Sequence, residues 1–123
     1  MSDGQIGRDF AEALAARDYE RVAEVLDPEV DFRGLTPRRA WEASSAAEFV
    51  SDVLPSWFEA SDEIDELTTL ETGTVADRDR VAYQLRGHNE DGPFVVEQQA
   101  YYATSEGRIT WLRVLCSGFR PVG

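Results

Sequence analysis

Apolar residues recur at helical spacing from the start of the chain: Ile6, Phe10, Ala13 and Leu14 follow i, i+4, i+7, i+8 behind the capping candidates Ser2 and Asp3, which predicts a first helix. Asp18 stands as the N-cap of a second, shorter helix with Tyr19, Val22, Val25 and Leu26 on one side, closed by Asp27-Pro28. A short strand over residues 30–35 lies between Pro28 and Pro37, and Thr36-Pro37 can open a helical turn with proline in its first position. Ser45 and Glu48 then fit a capping box for a third helix, whose broad apolar face holds Phe49, Val50, Val53, Leu54, Trp57 and Phe58. Pro55 inside that pattern lacks a backbone donor, so a kink or an end is expected nearby.

The second half changes period. Residues 64–75 alternate too weakly to fix a buried face, Asp77-Arg-Asp79 makes a turn, and strands are predicted over 80–88, 94–104 and 108–119, separated by Asn89-Glu-Asp-Gly-Pro93 and by the tight turn Ser105-Glu-Gly107. Helices first and an antiparallel meander afterwards predict an α+β fold, with three N-terminal helices packed on the concave face of a curved, mostly antiparallel sheet. At 123 residues, without a linker or a low-complexity tract, residues 1–123 read as a single domain.

Charge narrows the partners. Twenty-four acidic residues against twelve basic ones give a net charge of -12, which repels phosphate backbones and anionic lipid surfaces, so neither nucleic acid nor membrane is expected as a partner. The acidic run Glu59, Asp62, Glu63, Asp65, Glu66 and Glu71 reads as a solvated face. No apolar stretch reaches the length that spans a bilayer and Met1-Ser-Asp-Gly4 lacks a secretory pattern, so a cytoplasmic location is expected. Cys116 is the only cysteine and falls in an apolar strand, where a buried small hydrophobe is the simplest reading.

The layout, with Ala16-Arg-Asp-Tyr-Glu20 after the first helix, Leu26-Asp-Pro-Glu-Val-Asp-Phe32 leading into the first strand and Glu106-Gly-Arg-Ile109 opening the last, resembles the nuclear-transport-factor-2-like (SnoaL-like) superfamily, including its ketosteroid-isomerase-like members. The resemblance implies a cone built by a curved sheet around helices, an apolar pocket inside it, and homodimers that pack through the outer sheet face. It implies no single activity, because the same cone serves isomerases, cyclases, lyases, hydrolases and proteins without catalysis. The groups used by the steroid isomerases are missing at the aligned positions: Gln99 stands for the protonated aspartate, Ala11 for the tyrosine, and Arg33 or Gly34 for the base. Ordinary steroid-isomerase chemistry is therefore not expected.

Alignment on the superfamily turns Gln99 inward, and period two carries Glu97 and Tyr101 with it. On the last strand Trp111 and Arg113 share one face, either toward the pocket or toward a dimer seam, while Leu112, Val114 and Cys116 share the other, as core or dimer surface. With Trp111 and Arg113 inward, Arg113 pairs with Glu97 and an aromatic wall carries a fixed cation, suiting a small apolar, ring-containing or carboxylated molecule. The candidate proton-transfer groups are Glu97 and His88, although a strand-end surface histidine is the simpler reading of the latter; Gln99, Tyr101, Trp111, Arg113, Trp41, Trp57 and Tyr83 are the candidate ligand-binding residues. His88, Glu90 and Glu97 lack metal-ligand spacing, and no metal or cofactor is expected. A homodimer is expected through an outer face bearing Tyr102, Leu112 and Val114. The alternative to a small-molecule pocket with acid/base chemistry is a non-catalytic ligand-binding or dimeric assembly domain.

Overall fold

A computed structural model describes residues 4–122, and in it the periodic segments become helices on one side of a single curved sheet. The first helix, α1 (Gly4–Ala15), buries Phe10, Ala11, Ala13 and Leu14. The second, α2 (Tyr19–Val25), is capped by Asp18, whose side chain accepts the Arg21 backbone N–H. The sheet opens with β1 (Leu26–Thr36), which starts earlier than residue 30 and takes in Pro28 beside a register shift between Leu26 and Asp31. The expected helical turn at Thr36-Pro37 is instead a strand-to-strand turn, with Arg38 in the left-handed region at φ 69°, leading into β2 (Arg39–Ala43).

The third helical stretch runs as α3 (Ala46–Glu48), a π-helical turn (Phe49–Val53) and α4 (Leu54–Trp57). Ser45 Oγ accepts the Glu48 N–H at 3.0 Å, as a capping box requires, but Glu48 Oε1 reaches the Ser44 N–H at 2.8 Å rather than that of Ser45. The wide turn answers Pro55. Leu54 N–H donates to the Phe49 carbonyl five residues back, so the ladder widens just before the proline that can donate nothing.

Long strands follow: β3 (Glu63–Val75), β4 (Arg78–Asn89), β5 (Gly92–Ser105) and β6 (Arg108–Cys116), with a two-residue β7 (Arg120–Pro121) after a kink at residues 117–119. The strand order is β2-β1-β6-β5-β4-β3, antiparallel except for the parallel pair β1 and β6, and β7 pairs with β5. Phe94, Val96, Gln98, Ala100 and Tyr102 of β5 are buried under the helices with Leu112, Val114 and Cys116 of β6. Gly7 lets α1 approach this layer, since a Cβ there would fall 2.5 Å from Tyr102 Oη. Tyr102, Leu112 and Val114 are therefore core, not the outer surface expected from the sequence.

Candidate functional site

Register carries the inner face across the strands. Leu70 of β3 opposes Tyr83 of β4, Tyr83 opposes Gln98 of β5, and Gln98 opposes Cys116 of β6, so these four side chains form one row on the side of the helices. Tyr83 and Gln98 are each only 2% exposed, and the phenol donates a 2.6 Å hydrogen bond to Gln98 Oε1. Burial, reinforced by the neighbouring Cys116, raises the Tyr83 pKa well above that of a free phenol, so it stays a neutral donor.

Trp57 closes over the adjacent row. Its indole meets Phe32, Phe49 and Trp41 edge-on or tilted at centroid distances of 5.8, 6.1 and 6.2 Å, and Gly34 leaves the space it lies in, since a Cβ there would sit 3.2 Å from the ring. Trp57 Nε1 is buried without an acceptor. Trp41 is satisfied: its Nε1 donates to Thr36 Oγ1 at 2.8 Å while the Arg39 guanidinium stacks 3.5 Å from its ring centroid. Tyr83, Trp41 and Trp57 thus lie on the inner side of the sheet, with Gln98 and Cys116 as polar companions that the sequence reading had not placed with them.

The other expected site residues stand on the opposite face. Burial selects the even positions of β5, so Glu97, Gln99 and Tyr101 point away from the helices, as do Trp111 and Arg113 on β6. They do not converge between sheet and third helix. Glu97 accepts from Gln84 Nε2 at 2.8 Å, and Arg113 pairs with Asp31 instead of Glu97, with N···O distances of 3.3 and 3.4 Å and a 2.8 Å bond to the Asp31 carbonyl. Arg78 and Arg113 each place a guanidinium 4.4 Å from the Trp111 ring centroid. Gln99 Oε1 accepts from both Tyr101 Oη and Arg80 Nε, at 3.1 and 3.3 Å.

Two neighbouring troughs of about 690 and 720 Å³ open on this helix-free face. The row Glu71, Ala82, Gln99, Leu115, Leu35, Ala40 crosses it, and Leu35 and Leu115 line both troughs while 55% and 52% exposed. The parallel row through Arg80, Tyr101, Arg113 and Arg33 sets guanidinium groups beside it, and no hydrogen bond or ion pair occupies Arg33 among the described residues.

His88 lies on the same face near the end of β4, half-exposed and clasped by two carboxylates, Asp65 at Nδ1 and Glu63 at Nε2, both 2.9 Å away. The hydrogen bond to Asp65 and its charge, with the same two effects from Glu63, raise the His88 pKa. Glu97 is not among its partners. Asp62, beside this clasp, is buried as a loop fastener: its carboxylate accepts from Glu59 N–H and Asn89 Nδ2, while Arg17 donates to the carbonyls of Asp62 and Phe58. Among the described residues no three His, Cys, Asp or Glu side chains converge as metal ligands, and no helix is long and apolar enough to cross a membrane.

No protein-family model matches the sequence, and comparison with curated proteins finds no match. Solved structures do match. An NTF2-like protein from Burkholderia thailandensis superposes with a TM-score of 0.70 at 20% identity, covering 95% of this chain and 92% of that one. A protein with a ketosteroid isomerase-like fold from Catenulispora acidiphila, in complex with trimethylamine, gives 0.69 at 13% identity over 91% and 85% of the two chains. An LEH-like epoxide hydrolase of M. tuberculosis gives 0.67 at 12% identity over 92% and 80%. The chain has the NTF2-like, ketosteroid-isomerase-like cone fold, as its sequence pattern implied.

Proposed function

We propose that this chain is a binding domain that works as a homodimer, with a second copy covering its helix-free face. One observation carries the reading: the two troughs joined at Leu35 and Leu115 are lined by four arginines against three glutamates, in a chain whose net charge is -12. Two copies approaching by any strongly acidic surface repel one another, whereas here mixed charges surround two half-exposed leucines, and covering what remains exposed is worth about 1 kcal/mol each. Size exclusion with light scattering tests it. The parent is expected at twice the chain mass and Leu35→Asp/Leu115→Asp at the single mass; a parent that is monomeric at micromolar concentration overturns the proposal.

A second reading rests on the inner row. A buried donor without an acceptor, Trp57 Nε1, beside aromatic rings and near the uncharged Tyr83–Gln98 pair, supports a site for a small, ring-containing, uncharged molecule inside the cone. Acid/base chemistry gains no support there, because Glu97 and His88 stand on the other face and Arg113 offers no cation to a carboxylate inside. A thermal-shift screen of neutral and carboxylated ring compounds separates the cases. Neutral hits weakened by Trp57→Phe favour the interior; hits indifferent to that change, or none, exclude it.

A further inference from the structure

We propose that the outer edge of β3, over residues 69–75, accepts an extended peptide segment carrying a basic side chain, which joins the sheet as one more strand. The strand order ends at β3, so one side of its backbone has no neighbouring strand among the described residues. Such an edge is a template for pairing unless it is short, bulged, broken by proline, guarded by several charges (lysines above all) or covered by a helix; α1 packs against β3, but residues 71–75 are all exposed and Glu71 is the one charge in 69–75. The two register shifts of β3 fall between Ile64 and Glu66 and between Leu67 and Thr69, both in its first half. From Thr69 to Val75 the register with β4 is unbroken, and the stretch contains neither proline nor a basic residue.

Length and propensity agree. Seven residues span about 23 Å, enough for a stable run of backbone bonds, and Thr69, Thr72, Thr74 and Val75 suit a strand. The opposite end of the sheet differs: β2 has five residues and begins with Arg39, so it is short and carries a charge at its start.

Charge selects the occupant. Glu63, Asp65, Glu66 and Glu71 are the only charged residues of β3, and His88 engages the first two. Glu71 meets Arg80 only at 3.6 Å and keeps 77% of its side chain exposed. An incoming strand with a lysine or arginine beside Glu71 gains a cross-strand ion pair in addition to its backbone bonds. A second β3 would bring more carboxylates instead, which disfavours pairing between copies.

Two capped heptapeptides serve as probes, Thr-Val-Lys-Val-Thr-Val-Thr and the same sequence with Glu for Lys, each added at millimolar concentration to the intact chain. Amide exchange by NMR reads the edge: with the lysine peptide, alternate amides within 69–75 are expected to slow about tenfold or more. The glutamate peptide binds about tenfold more weakly and slows them correspondingly less, and Glu71→Gln weakens the lysine peptide about threefold, the size of an exposed ion pair. No slowing within 69–75 with either peptide overturns the proposal, as does equal binding of both peptides or of the Glu71→Gln variant. Slowing that grows with protein concentration in the absence of peptide assigns the edge to a second copy and overturns it as well.

Discussion

The Tyr83–Gln98 hydrogen bond offers the sharpest energetic prediction, because both partners are 2% exposed and neither can turn to water when the other is removed. Tyr83→Phe leaves Gln98 Oε1 without the phenol, and Gln98→Met leaves the phenol without its acceptor; each should cost about 1–3 kcal/mol. Replacing both removes the polar pair together, and two apolar groups of similar shape in its place approach neutrality. The double variant should therefore lose clearly less than the two single losses combined, with a coupling of about 1–3 kcal/mol. Urea unfolding of the four proteins measures this directly, with a shift in melting temperature of about 4 °C per kcal/mol as a second readout. The same pair has an alkaline signature. With its folded pKa raised, Tyr83 stays protonated while the unfolded chain ionises above about 10, so stability falls as pH rises past that value. Tyr83→Phe should flatten that part of the decline. Additive single losses, with an alkaline slope equal to that of the parent, would refute the reasoning and mean that water reaches the phenol.

Further outcomes follow from the outer clasp and the inner packing. His88 should titrate above its ordinary value by NMR, and because its folded pKa is raised, the stability it contributes is complete below about 6.5 and lost as pH rises through the folded value; His88→Gln should abolish that dependence. A His88 that titrates normally would disprove the double ion pair. Gly34→Ala should destabilise by about 1–3 kcal/mol in thermal or urea unfolding, since its methyl would come within 2.8 Å of Phe32 Cζ and 3.2 Å of the Trp57 ring. Unchanged stability would mean that both rings yield without cost.

The architecture was legible because each helix carries an apolar stripe of the right period and the strands lie between recognisable turns. The site residues were harder to read, and β5 explains why. Its two parities, Phe94 to Tyr102 and Val95 to Tyr101, each mix apolar and polar side chains, and the buried set contains Gln98, whose amide is accommodated only by a partner on another strand. Polarity along one strand therefore could not mark the inner face. The clearer signal lay in β6, where Leu112, Val114 and Cys116 form an uninterrupted apolar set; register ties them to Tyr102, Ala100 and Gln98, and so determines which parity of β5 is inside. The hairpin between β1 and β2 was missed because Pro37 suits a helical first turn as well as a strand turn. The left-handed Arg38 that decides between them leaves no trace in composition.

Cys116, the sole thiol, ends the inner row beside Gln98, nearly enclosed, with its sulfur accepting the Gly118 N–H at 3.4 Å. A thiol in that position is a built-in reporter of breathing. A water-soluble disulfide reagent can attack it only while β6 and its following kink swing away from β5, so the pseudo-first-order labelling rate, divided by that of an unstructured cysteine peptide, gives the population of the opened form. Under native conditions this ratio ranks any ligand, partner or substitution by how firmly it holds the end of β6 against β5, and it requires no engineered probe.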